Sequence, residues 1–154
     1  MIYVGIDPGK KGGISVLRGD AGDDIVAYPW NDDKFISYMR ALTILRDKDG
    51  EKLIACVEKV GAYSGQGRGS IFTFGTEYGF IQGVLRAYGI PYQLVPANVW
   101  KKEYSLIGKD KKASIETCQR LFPNLNLLPT ERSRVPSDGL AESSLMAEFA
   151  RRHF

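Results

Sequence analysis

Three short apolar runs crowd the first 29 residues: IYVGID (2–7), GISVLR (13–18) and DIVAYP (24–29). The segments between them, PGKKGG and GDAGD, have turn compositions, so the three runs read as a strand meander. Residues 32–46 then place Phe35, Met39 and Leu42, with Ile36 and Ile44, at helical spacing behind an Asn31/Asp32 cap. LIACVE (53–58) is a continuous apolar run of the kind buried in a parallel strand. Strand, helix, strand implies a right-handed crossover back into the same sheet.

VGAYSGQGRGS (60–70) carries four glycines and reads as a mobile loop ahead of a helix over about 70–88. PYQLVP (91–96) is a fifth strand and ANVWKKEY (97–104) a short helix. Residues 110–122 form a helix stopped by Phe122-Pro123, and 124–137 are irregular. Ser137 or Asp138 caps a last helix, 138–152, whose buried stripe is Leu140, Leu145, Met146 and Phe149. The expected architecture is α/β: a five-stranded mixed sheet, three strands antiparallel and two parallel, with helices on both faces. It is similar to the ribonuclease H-like arrangement, which also occurs, enlarged, in actin-like sugar-kinase ATPases, so the fold leaves function open.

The 154 residues fit a single domain, 1–154, and no run approaches the roughly 20 apolar residues that cross a bilayer. The first residues lack the basic-then-apolar order of a secretory signal, and Cys56 and Cys118 read as buried free thiols of a reducing cytoplasm. With one histidine, His153, expected at a frayed C-terminus, neither a Cys/His zinc cluster nor a His-dependent triad can be assembled. Catalysis, if any, must run on carboxylates and lysines. The net charge of +3 is uneven: residues 1–50 carry eight acids against seven Lys/Arg, residues 101–154 seven acids against ten.

Asp7 ends the first strand and Glu58 the fourth, which would lie beside it about 4.8 Å away. Asp138 and Glu142, at i and i+4, share one face of the last helix. Four carboxylates could thus meet in one cleft, where without a cation they would repel one another. Phosphodiester hydrolysis needs an activated water, a neutralised phosphate and a stabilised leaving oxygen, which two Mg²⁺ ions supply, and Mg²⁺ prefers carboxylate oxygen. Singly, the four acids also fit plainer roles: Asp7 as a turn residue, Glu58 as a solvated strand end, Asp138 as a helix cap and Glu142 as a surface residue.

Lys101, Lys102, Lys109, Lys111 and Lys112 fall within twelve residues, with Trp100 and Tyr104 interleaved. Lysines at a helix start oppose its dipole, and a DNA phosphate there would offset that. A solvated face is the plainer alternative, but the segment reads as a DNA-backbone site. Trp100 reads as a core anchor. Tyr63 and Arg68 in the glycine-rich loop, and Lys10 and Lys11 beside Asp7, are placed to reach a nucleic-acid backbone, while GKKG lacks the spacing of a phosphate-binding P-loop. Gly75, Gly79 and Gly83 recur on one helix face at about 1 kcal/mol each relative to Ala, so either the chain's own sheet or a second copy should approach that face closely.

Together these segments carry a family resemblance. VGIDPGKKGGISVL resembles the first motif of the RuvC family of Holliday-junction resolvases, ACVEKV its second acidic strand, and SDGLAESSLMAEFARR its acidic C-terminal helix. VPANVWKKEYSLIGKDKKAS with RLFP resembles the basic segment of phage-type members. The resemblance implies a Mg²⁺-dependent endodeoxyribonuclease with two ions per site and Mn²⁺ as the expected substitute. It would resolve four-way junctions as a homodimer by paired symmetric nicks, in the cytoplasm, or the host cytoplasm if phage-encoded. Carried over, it makes Asp7, Glu58, Asp138 and Glu142 the metal ligands, Asp7 bridging the ions. It implies DNA contacts by Lys10, Lys11, Tyr63, Arg68, Lys101, Lys102, Lys109, Lys111 and Lys112, and a dimer seam at Gly75, Gly79 and Gly83.

Two departures stand out. The last acid is a Glu four residues after Asp138, where many members have an Asp three residues after another acid or a His. Gly61 replaces a bulky aromatic, so that either Tyr63 compensates or junction opening is weaker. Three other readings remain: a catalytically weakened junction-binding module, a nuclease of other branched DNA, and an actin-like nucleotide phosphotransferase.

Overall fold

The computed structural model describes residues 1–19, 24–61 and 67–154, and of Arg68 and Ser70 the backbone alone. Strands β1 (Ile2–Asp7), β2 (Gly13–Arg18), β3 (Asp24–Pro29), β4 (Leu53–Lys59) and β5 (Tyr92–Pro96) form one sheet in the order β3-β2-β1-β4-β5. The first three pair antiparallel, and β4 and β5 continue the sheet in parallel, as the meander and crossover require. The helices are α1 (Asp32–Asp49), α2 (Arg68–Ala87), α3 (Ala97–Glu103), α4 (Lys111–Leu121) and α5 (Asp138–His153). Helix α1 outruns its expected end because nothing breaks it before Gly50, which takes a left-handed φ of 65°.

The period-two alternation of the strands divides the core in two. Ile2, Val4 and Ile6 of β1, with Leu53, Ala55 and Val57 of β4, pack with α1 and α2 residues such as Phe35, Met39, Ile81 and Leu85. Tyr3 and Cys56 point the other way, into a core with Trp100, Cys118, Leu140, Leu145 and Met146 from α3, α4 and α5. Ile36 and Ile44, expected on the apolar face of α1, are instead 37% and 57% exposed. The buried stripe is Phe35, Met39 and Leu42, and each of the two isoleucines lies outside it. Cys56 and Cys118 are buried free thiols, and burial pushes both up to about 12.

Helix α5 is buried at nearly every position from Gly139 to Ala150. It lies so close to the sheet that a Cβ on Gly5 would sit 1.9 Å from the Ser143 carbonyl oxygen, and one on Gly139 2.1 Å from that of Lys11. The polar atoms trapped in this contact are paired: the Ser15 hydroxyl lies 2.8 Å from those of both Ser143 and Ser144.

The far end of α5 is not frayed as expected. His153 Nε2 meets Glu103 Oε2 at 2.5 Å, Arg152 reaches Glu103 at 2.9 Å, and buried Glu148 accepts from both Arg151 and Arg152 at 2.7 Å. Among the described residues, no helix is long and apolar enough to cross a membrane.

Candidate metal centre

Strand parity decides which acids can meet. Asp7 shares the α5 face with Tyr3 and Gly5, and Glu58 shares it with Ile54 and Cys56. The parallel register runs to Ile6↔Val57, which brings Glu58 alongside Asp7 at the neighbouring strand ends. Glu142 comes down from the second turn of α5, carried close by the Gly5 contact. One carboxylate oxygen from each of Asp7, Glu58 and Glu142 lies within 4.8 Å of the others.

Burial first, then the charges of Glu58, Glu142 and Asp138, push the Asp7 carboxyl well above its usual range, against an opposing pull from Lys101. Burial also raises Glu58, opposed by its hydrogen bond from Trp100 and by Lys101, and reinforced by Glu142. A neighbouring cation would favour the charged form of such a group. Its all-oxygen donor set suits a hard divalent ion such as Mg²⁺ or Mn²⁺, so the residues present fit the implied metal.

The fourth sequence candidate, Asp138, stands outside this trio. Its carboxylate is ion-paired with Lys111 of α4, although its charge still reaches Asp7. Of the two helix acids, Glu142, whose spacing departs from the family pattern, is the one in the cluster.

The lysines divide in the same way. Lys101 Nζ lies 3.1 Å from Glu142 Oε1, Lys111 pairs with Asp138, and Lys112 lies 3.7 Å from Glu116. The start of α4 is capped by Asp110, whose side chain accepts from the Ala113 N–H at 3.1 Å. The unfavourable lysine placement is therefore offset within the chain, and does not by itself call for a phosphate. Lys10, Lys11, Lys102 and Lys109 are exposed and make no ion pair with a described residue. Tyr63 lies outside the described residues, as does the side chain of Arg68.

Gly75, Gly79 and Gly83 are exposed along α2, and a Cβ on any of them would meet no described residue within 4 Å. The chain's own sheet is not what approaches them. Phe72, on the same helical stripe, is 77% exposed.

Sequence reasoning missed the groups that hold the acids. Trp100, a fully buried core anchor as expected, also donates its indole N–H to Glu58 Oε2 at 3.0 Å. Ser114 Oγ donates to Glu142 Oε1 at 3.0 Å. The signal for Ser114 was a hydroxyl on the buried stripe of α4, four residues before Cys118, where a polar group needs a partner.

No protein-family profile matches the chain, and no curated protein sequence matches it significantly. Solved structures do. The Thermus thermophilus RuvC structure aligns over 96% of this chain and 91% of its own, at 15% identity and a TM-score of 0.56. T. thermophilus RuvC in complex with Holliday junction substrate aligns over 99% and 96%, at 14% identity and a TM-score of 0.62. The yeast mitochondrial Holliday junction resolvase Ydc2 aligns over 97% of this chain and 77% of its own, at 15% identity and a TM-score of 0.52. At these identities the likeness is one of fold: the chain has the ribonuclease H-like fold of these proteins.

Proposed function

We propose that the chain is a metal-dependent endodeoxyribonuclease that resolves four-way DNA junctions. The observation that carries this reading is the meeting of Asp7, Glu58 and Glu142, from two strand ends and a helix, on a sheet folded like that of junction resolvases. These three would hold the metal, with Asp138 joining them once released from Lys111. Two Mg²⁺ ions, or Mn²⁺ in their place, would supply the charge that activates water and stabilises the leaving 3′-oxygen.

The chain's own part is to orient and to bind. Lys101 and Lys111 keep positive charge beside the acids, ready for a phosphate. Lys10, Lys11, Lys102 and Lys109, with Lys112, Arg68 and Tyr63, would hold the DNA backbone. A homodimer making paired symmetric nicks suits a two-fold substrate. It is supported by the open glycine stripe of α2 with exposed Phe72 beside it, a groove and a knob that a second copy would cover. Its place of work would be the cytoplasm, or the host cytoplasm if phage-encoded.

The Asp138–Lys111 pair favours one second reading, a junction-binding module with weakened catalysis. A gel assay of labelled junction, fork and linear duplex with Mg²⁺ separates the two. The wild type should make paired nicks in the junction alone. Asp7→Asn should still bind junction but cut it more slowly, by more than the roughly 10–100-fold lost with an outer partner of a metal site. Unchanged cutting by Asp7→Asn overturns the catalytic reading, and wild-type binding without cutting gives the second.

A further inference from the structure

Trp100 has one atom that its packing does not need. The side chain is fully buried in the core shared by α3, α4 and α5, a place any large apolar ring would fill. Its indole N–H requires a partner when buried, and that partner is the site carboxylate Glu58, at 3.0 Å. The ring also lies under the ammonium of Lys101, 5.0 Å from centroid to Nζ, and the same Nζ is 3.1 Å from Glu142 Oε1. One side chain thus touches Glu58 directly and Glu142 through its neighbour.

These contacts divide the carboxylate oxygens. Glu58 Oε2 is taken by Trp100, and Glu142 Oε1 by Ser114 and Lys101, at 3.0 and 3.1 Å. The second oxygen of each carboxylate has no hydrogen bond or ion pair to a described residue. The sheet explains how α3 reaches the site: it follows β5 directly, and β5 pairs with β4 at Glu58↔Val95.

We propose that Trp100 is a positioning residue of the metal centre. Its N–H holds one Glu58 oxygen so that the other faces Asp7, and its ring holds Lys101 against Glu142. The inference rests on the metal reading above and deepens it. Outer partners that orient metal ligands are worth about 10–100-fold in metal affinity.

The experiment uses the full chain. Replacing Trp100 with benzothienylalanine keeps the ring's volume and removes the N–H, and Trp100→Phe removes both the N–H and part of the ring. With Mn²⁺ followed by calorimetry, both variants should bind about 10–100-fold more weakly than wild type, while the benzothienylalanine variant keeps a wild-type melting temperature in chelator. A merely structural Trp100 would lower the melting temperature of Trp100→Phe and leave Mn²⁺ affinity intact. In the unsubstituted chain, the indole N–H resonance of Trp100, told from that of Trp30 by Trp30→Phe, should shift with added Mg²⁺ at the calorimetric midpoint. Wild-type Mn²⁺ affinity in the folded benzothienylalanine variant, or an indole resonance indifferent to Mg²⁺, overturns the proposal. A wild type that binds no Mn²⁺ overturns the metal reading itself, before any variant is made.

Discussion

Two sets of glycines in this chain have opposite surroundings. Gly5, Gly13 and Gly139 line the contact between the sheet and α5, where an added Cβ would fall 1.9 to 2.8 Å from a backbone oxygen. Gly75, Gly79 and Gly83 line α2, where it would meet no described residue within 4 Å. The first set lacks side chains because backbone lies against it, and that closeness brings Glu142 down to Asp7. The second costs helix stability with nothing among the described residues to offset it. A glycine pattern therefore marks a close approach, but the structure is needed to say whether the approaching surface belongs to the same chain.

The largest expected effect comes from closing the first gap. Gly5→Ala forces β1 and α5 apart, and backbone on both sides leaves no flexible side chain to yield. The loss of stability should lie at or above the upper end of the ~1–3 kcal/mol usual for overpacking. Because Glu142 moves with α5, Mn²⁺ affinity should fall in the molecules that remain folded. Denaturant melts and calorimetry check the two together. A Gly5→Ala protein with wild-type stability would show that the sheet and helix are not in the contact described.

The second effect tests what that closeness does to the acids. Asp7 has a carboxyl raised above its ordinary 3.8 by burial and by neighbouring acids, and Glu58 is raised above 4.5. Below the ordinary values both groups are protonated, folded or unfolded, and cost nothing. As pH rises past them the unfolded chain ionises first, so metal-free stability falls until the folded groups also ionise. Asp7→Asn should therefore leave melting in chelator unchanged near pH 3. It should raise it by a few degrees near pH 7, each kcal/mol being about 2–4 °C at this chain length. Saturating Mg²⁺ should cancel or reverse the difference at neutral pH, since only wild type keeps the full ligand set. A variant that melts lower than wild type in chelator at neutral pH would mean that the acids are not crowded.

Much of this arrangement was legible in the sequence. The strands were bounded by turn residues, and once their order was set, parity placed Asp7 and Glu58 at one end of adjacent strands. Gly5, a glycine inside a strand, was also a readable sign of close backbone approach. What stayed hidden depends on distances between helices, which no local pattern encodes. The Lys111–Asp138 pair and the Ser114 bond to Glu142 join helices brought together only by packing. The Trp100 bond to Glu58 joins β4 to a helix whose tilt toward that strand is set by packing after β5. The exposure of Ile36 and Ile44 was missed for a related reason: several apolar residues fit a helical period, and only the sheet chooses among them.

The smallest effect bears on the open glycines. Gly79→Ala sits mid-helix with no positive φ and no described residue within 4 Å, so in a single copy it should stabilise α2 by about 0.5–1 kcal/mol. If a second copy lays its backbone or its Phe72 along this stripe, the new methyl group is an obstacle there, and self-association should weaken as the fold strengthens. Sedimentation and thermal melts on the same samples read the two terms separately. A higher melting temperature with a weaker dimer means that the stripe is the seam. A higher melting temperature with unchanged association means that the copies meet elsewhere, and the glycines of α2 would then have no counterpart to the close contact that Gly5 makes with α5.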